Sequence, residues 1–134
     1  MDPRPLRDRF ESVAALEDFM TTPSPALVDD LAHIDGDILV LGVGGKMGPT
    51  LARMAKRAAP AKRVIGVARF SEQGLRERLE AWGIECIACD LLDRERVVQK
   101  HVLELAGIAF VQAGDTPPDR GKITPLELPP LARA

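Results

Sequence analysis

The feature that most limits what this chain can fold into is a seven-residue turn, Gly42-Val43-Gly44-Gly45-Lys46-Met47-Gly48, lying between an apolar run and an amphipathic one. Before it, Ile38-Leu39-Val40-Leu41 has the unbroken apolar character of a parallel strand buried on both faces. After it, Leu51, Met54, Ala55 and Ala58 fall on one face of a helix, while Arg53, Lys56 and Arg57 fall on the wet face. Strand, glycine turn and helix in that order call for an α/β fold built from crossover units.

The spacing of the glycines narrows this further. G-x-G-x-x-G counted from Gly42 fails at Met47, whereas G-x-x-G-x-x-G is met by Gly42, Gly45 and Gly48. In such a turn the first glycine permits the sharp bend and the next lets backbone N–H groups approach a pyrophosphate. The last allows the helix to pack closely on the strand. The helix dipole then favours the anion. The candidate dinucleotide-binding set is therefore Gly42, Gly44, Gly45, Lys46, Met47 and Gly48. The competing reading is a glycine-rich turn that binds nothing. Lys46 and Thr50 stand between reaching a phosphate and being solvated.

The rest of the chain continues the alternation. Val64-Ile65-Gly66-Val67 reads as a second strand, Ser71 as the cap of a helix burying Leu75, Leu79 and Trp82, and Gly83 as its stop. Ile84 to Ala88 reads as strand three and Asp93 as the cap of a helix carrying Val97, Val98, Val102 and Leu105. Ile108 to Val111 reads as strand four. The expected fold is a Rossmann-like, doubly wound parallel sheet of about four strands, incomplete, with helices on both faces. Two short helices precede it. In the first, Phe10, Val13, Leu16 and Phe19 recur at helical spacing to cover an apolar surface. The second is capped by Ser24-Pro25 and runs to about His33. The organisation is thus a helical segment over 1–34, a nucleotide-binding unit over 35–114, and a proline-rich irregular tail over 115–134.

Composition excludes several function classes. With 18 Lys+Arg against 20 Asp+Glu, the net charge of -2 offers no basic field for nucleic acid. No apolar stretch approaches the roughly 20 residues of a membrane span, and the amino terminus lacks a signal-peptide run. Two cysteines are too few for a disulfide framework, so a reducing compartment, the cytoplasm, is expected. Cys86 and Cys89 have the spacing of a metal-binding pair. No second cysteine pair exists, however, and on a buried strand they read as small apolar fillers, so no metal is assigned. Asp29, Asp30 and His33 read as the solvated side of a short helix.

The glycine spacing resembles that of the extended short-chain dehydrogenase/reductase family, the NAD-dependent epimerase/dehydratases, over residues 37 to 114. The resemblance implies a Rossmann fold holding NAD or NADP, with an acid after strand three near the adenine; Asp90, followed by Leu91, occupies that place. It also implies a small-residue motif at the end of strand four, where Ala113-Gly114 stands. The family's chemistry is hydride exchange on a sugar-nucleotide or carbonyl substrate. Its catalytic Tyr-x-x-x-Lys is missing, since the chain has no tyrosine. The expectation is either the cofactor-binding part of a longer, catalytically complete enzyme or a stand-alone dinucleotide-sensing or protein-interaction module. In an incomplete sheet the strand-one edge would be open, and the domain marginal or self-associating, giving a homo-oligomer. After strand two, Arg69 lies farther from Gly42 than the usual ~20 residues of the ribose-binding acid, and Glu72 is the nearest acid. An arginine there suits a 2′-phosphate, so NADP is favoured over NAD; the alternative is a surface arginine.

Overall fold

In a computed structural model the described residues are residue 5, residues 7–93, residues 95 and 96, and the backbone of residues 106–111. The chain is α/β, and two helices precede the first strand: α1 (Val13–Thr21) and α2 (Pro25–Ala32). There follow β1 (Asp37–Leu41), α3 (Gly48–Ala58), β2 (Val64–Ala68), α4 (Leu75–Ala81) and β3 (Glu85–Ala88). The strands pair in parallel, with Ile38 opposite Val64, Leu41 opposite Val67 and Ala68 opposite Ala88. A further strand, β4 (Ala106–Val111), runs parallel to β1 on its other side, giving the order β3-β2-β1-β4. This corrects the expected open edge at β1. That strand is interior, paired on both sides, and the outer strands are β3 and β4.

Alternation along the strands divides the core in two. Ile38, Val40 and Val64 face a cluster completed by Ala52 and Ala55 of α3 and by Leu75 and Leu79 of α4. Leu39, Leu41, Ile65 and Val67 face the opposite way, with Cys89. Such residues, buried on both faces of the sheet, are what the unbroken apolar runs require. Asp93 Oδ1 accepts the N–H of Arg96 at 3.2 Å, the bond of an N-cap. The remainder of the predicted helix there, with Val97, Val98, Val102 and Leu105, lies outside the described residues, as does the proline-rich tail.

Local signals set several helix ends. Ser24 accepts the N–H of Leu27 at 3.2 Å, and Pro25 opens α2 in the first turn. His33 closes that helix. Its ring Nδ1 lies 2.7 Å from the Asp29 carbonyl, on an exposed end with no further partner for Asp30's carboxylate among the described residues. The α1 helix starts at Val13 rather than Phe10, because Ser12 accepts the N–H of Ala15 and caps it there. Phe10 instead packs on Phe19, with centroids 5.2 Å apart. The cap of α4 is also displaced: Gly74, at φ +83°, begins the helix in place of Ser71, three residues before it. Gly83, at φ +80°, ends it as read.

Two helix faces differ from the sequence expectation for a physical reason. The buried stripe of α3 is Gly48, Ala52, Ala55 and Ala58, small residues that let the helix lie close on the sheet, while Leu51 and Met54 are half-buried at its sides. Its basic residues are not simply solvated. The Arg53 guanidinium lies over the Trp82 ring, and Lys56 donates to the carbonyls of Pro60 and Lys62. Arg57 donates to Asp18 Oδ1, to the Asp18 carbonyl and to Thr21 Oγ1 at 2.8–3.1 Å. Val13 and Met20 of α1 are 73% and 50% exposed, so this helix covers less apolar surface than its pattern implied. A polar clasp fastens it to α3. Arg57→Ala is accordingly expected to cost about 1 kcal/mol, given the partial exposure of the pair. Hydrogen exchange should quicken in α1 more than in β1.

The lower rim of the sheet is tied by Arg63, which bonds Glu85 at 2.6 Å and Asp37 at 3.3 Å, linking the starts of β1, β2 and β3. The hydrogen bond from Arg63 holds the Glu85 carboxyl below its ordinary pKa. Lys62 closes the turn before β1 by donating to the carbonyls of Ile34 and Gly36.

Candidate functional site

Because the strands are parallel, the segments that follow them emerge along one edge of the sheet: the glycine turn after β1, Arg69 after β2 and Cys89-Asp90 after β3. Backbone bonds keep them adjacent. The N–H groups of Gly42 and Val43 both donate to the Val67 carbonyl, at 2.8 and 3.1 Å, and Cys89 N–H donates to the Ala68 carbonyl at 2.9 Å. This edge is where open α/β sheets place their ligands.

The glycines of the turn do different things. Gly42 sits at φ +75°, a conformation costly for other residues, and bends the chain off β1. Gly48 is required by packing: a Cβ there would lie 2.3 Å from the Val43 carbonyl oxygen. Gly66, within β2, is required as well, since its Cβ would lie 2.9 Å from Val43 Cγ1. Val43 is thus a fully buried plug between the helix start and the second strand. Sequence reasoning missed Val43 and Gly66. The signal for the latter was a glycine inside an otherwise β-branched strand, which often marks close approach. Gly44 differs from these: it is exposed, and a Cβ would meet Ala68 Cβ at 3.4 Å and Leu75 Cδ2 at 3.7 Å, ordinary contact distances. Neither Gly44 nor Gly45 is at positive φ. The Gly45 N–H donates to the Gly42 carbonyl at 3.1 Å, closing the turn.

The first turn of α3 faces this loop with its charge uncompensated. Its N-cap is Met47, 73% exposed, which makes no side-chain cap bond; Pro49 follows in the first turn, and no acid stands there. Free first-turn N–H groups and the positive end of the helix dipole favour an anion. Lys46 is exposed beside them.

Arg69 is exposed and has no hydrogen-bond or ion-pair partner among the described residues. Its neighbour Phe70 is the one non-glycine residue at positive φ, +54°, among those described. Asp90 is half-buried. One carboxylate oxygen accepts the Leu92 N–H at 3.0 Å, and its carbonyl accepts the Asp93 N–H at 3.0 Å. This Asx turn fixes the loop after β3 and occupies Oδ1. Leu91 packs against the second apolar cluster. Ala113 and Gly114 lie outside the described residues.

The two cysteines sit on opposite faces of the sheet, Cys86 against the first cluster and Cys89 within the second. Their three-residue separation on a strand dictates this, and it prevents the two thiols from sharing a metal. Burial raises the pKa of Cys86. Among the described residues no group of His, Cys, Asp and Glu could hold a metal ion, and no helix is long and apolar enough to cross a membrane. In comparisons with known proteins, no family model and no curated protein matches the chain.

Proposed function

We propose that the chain is a Rossmann-like domain that binds NAD or NADP across the carboxyl edge of its sheet, with NADP preferred. The observation that carries this reading is the glycine at position 44. It has room for a methyl group and no positive φ, so folding does not demand glycine there. Glycine at such a site forfeits about 0.5–1 kcal/mol of chain entropy, which is understandable where a ligand must approach the backbone. In this reading the pyrophosphate lies over Gly44, Gly45 and Met47 at the start of α3, with Gly42 and Gly48 shaping the turn. Lys46 stands beside the phosphates, and Arg69 meets the adenosine ribose. Asp90 and Leu91 border the adenine, with Ala113-Gly114 nearer the nicotinamide.

Hydride chemistry on a sugar nucleotide or carbonyl compound belongs to the proposal only through the resemblance. The 134 residues supply a cofactor grip without a tyrosine acid. A second reading, a module in which occupancy of the edge is relayed to a partner protein, is favoured by the Arg57 clasp. It ties α1, with its exposed Val13 and Met20, to the helix that begins at the glycine turn.

The choice of cofactor rests on Arg69. A guanidinium without an internal partner is available to a 2′-phosphate, and such charge-assisted bonds are worth more than neutral ones. NADP is expected to bind about tenfold more tightly than NAD, and Arg69→Ala to erase that difference while leaving NAD affinity nearly unchanged. Parallel titrations of both cofactors check this; equal affinities in the unaltered chain would make Arg69 an ordinary surface residue.

A further inference from the structure

Next to the glycine turn, a cavity of about 100 Å³ lies between α1, Lys46 with the first two turns of α3, and α4. Its charged walls are Lys46, Arg53 and Arg78, with Glu17 the one acid; Thr50 contributes a hydroxyl and Trp82 an aromatic wall. Three positive groups face one negative group across a small volume.

The pairing of cations elsewhere shows how unusual this is. Between residues 46 and 90, Arg57, Arg63 and Arg76 each hold a carboxylate, and Lys56 and Lys62 each hold two backbone carbonyls. The basic residues of that stretch without an acceptor among the described residues are Lys46, Arg53, Arg69 and Arg78, and three of these four line the one cavity. Arg53 and Arg78 are instead drawn to Trp82, with guanidinium carbons 4.7 and 5.7 Å from the ring centroid. Cation–π contacts hold the two arginines side by side against their mutual repulsion and leave their N–H groups available. With the ring so engaged, the cavity is not set up to stack a base. Its volume and donors suit a tetrahedral oxyanion, for which guanidinium forks are well matched.

We infer that this cavity binds a phosphate group, either free phosphate or the phosphate of a small monoester, at a site that borders the glycine turn through Lys46 but is built on Arg53 and Arg78, which the proposed dinucleotide site does not use. Glu17 gives the site its selectivity. Hydrogen phosphate carries a proton that it can donate to a carboxylate, whereas sulfate at neutral pH carries none. A carboxylate in the wall therefore opposes sulfate and admits a phosphate group that still carries a proton, as hydrogen phosphate and the monoanion of a monoester do.

Trp82 is the only tryptophan in the chain, so its fluorescence reports directly on this cavity. Titration with sodium phosphate, at ionic strength held constant with chloride, is expected to give a saturable change, with sulfate at least about tenfold weaker. Methyl phosphate in a parallel titration, at a mildly acidic pH where both anions carry a proton, distinguishes the sources: affinity equal to that of inorganic phosphate assigns a monoester, and much weaker affinity assigns the free anion. Calorimetry on the double variant Arg53→Gln/Arg78→Gln should show phosphate affinity lowered at least tenfold with the melting temperature nearly unchanged. Gly45→Val should leave phosphate binding intact. The inference is overturned by a chloride titration that reproduces the signal, by sulfate binding equal to phosphate, or by undiminished affinity in the double variant. Loss of phosphate binding in Gly45→Val would likewise overturn it, by placing the anion in the glycine turn.

Discussion

Gly48→Ala is expected to lower stability by about 3 kcal/mol, at the upper end of the usual cost of overpacking, and to weaken dinucleotide binding with it. The added methyl group would stand 2.3 Å from the Val43 carbonyl oxygen and 2.6 Å from its carbon, and backbone cannot rotate aside as a flexible side chain can. Either α3 lifts from the sheet or the turn opens. Lifting the helix disturbs the burial of Ala52 and Ala55, and opening the turn loosens Val43 from its place against Gly66. Both movements misplace the first-turn N–H groups. A loss of this size should lower the melting temperature by roughly 10 °C or more for a domain of this length. An unchanged melting temperature would show that the close approach of helix and turn does not hold in solution.

Gly45→Val is expected to separate binding from folding. Gly45 has no positive φ and is half-exposed, so the backbone penalty that holds at Gly42 does not apply to a side chain there. In the proposed site, however, its side chain would occupy the space over the turn where the pyrophosphate approaches. The expected result is a loss of NADP affinity of about a hundredfold or more, corresponding to about 2.7 kcal/mol, with a circular dichroism spectrum and melting temperature close to those of the parent. Calorimetry showing unchanged affinity in the folded variant would remove the turn from the site. The pair of substitutions is informative together, because Gly48 serves the fold first and Gly45 the ligand first.

What could be read along the chain was mostly what is decided locally. The apolar run at 38–41 and the glycine spacing after it locate β1, the turn and α3 because each depends on neighbours a few residues away. Ser24-Pro25 marks the start of α2 for the same reason. Ser71 failed as a cap because Gly74, at positive φ, provides a later start. The stripe of α3 was misassigned because large apolar residues dominate any helical pattern, whereas close helix-to-sheet packing selects small ones such as Ala52. Contacts between distant segments left no local trace. Arg57 reaches Asp18 across 39 residues, and Val43 fits between Gly66 and Gly48. Of the candidate site, the turn, Arg69 and Asp90 converge on one edge because parallel pairing aligns the strand ends. Arg53 and Arg78 looked like surface charge until Trp82 brought them together.

If the carboxyl edge holds a dinucleotide, calorimetric titration of the purified chain with NADP and with NAD detects it, in buffer free of phosphate so that the cavity beside Trp82 does not contribute. Saturable binding at one site per chain is expected, tighter for NADP and weakened about a hundredfold or more in Gly45→Val. Absence of any saturable heat with either cofactor at millimolar concentration, in a sample whose cooperative melting shows it to be folded, would contradict it.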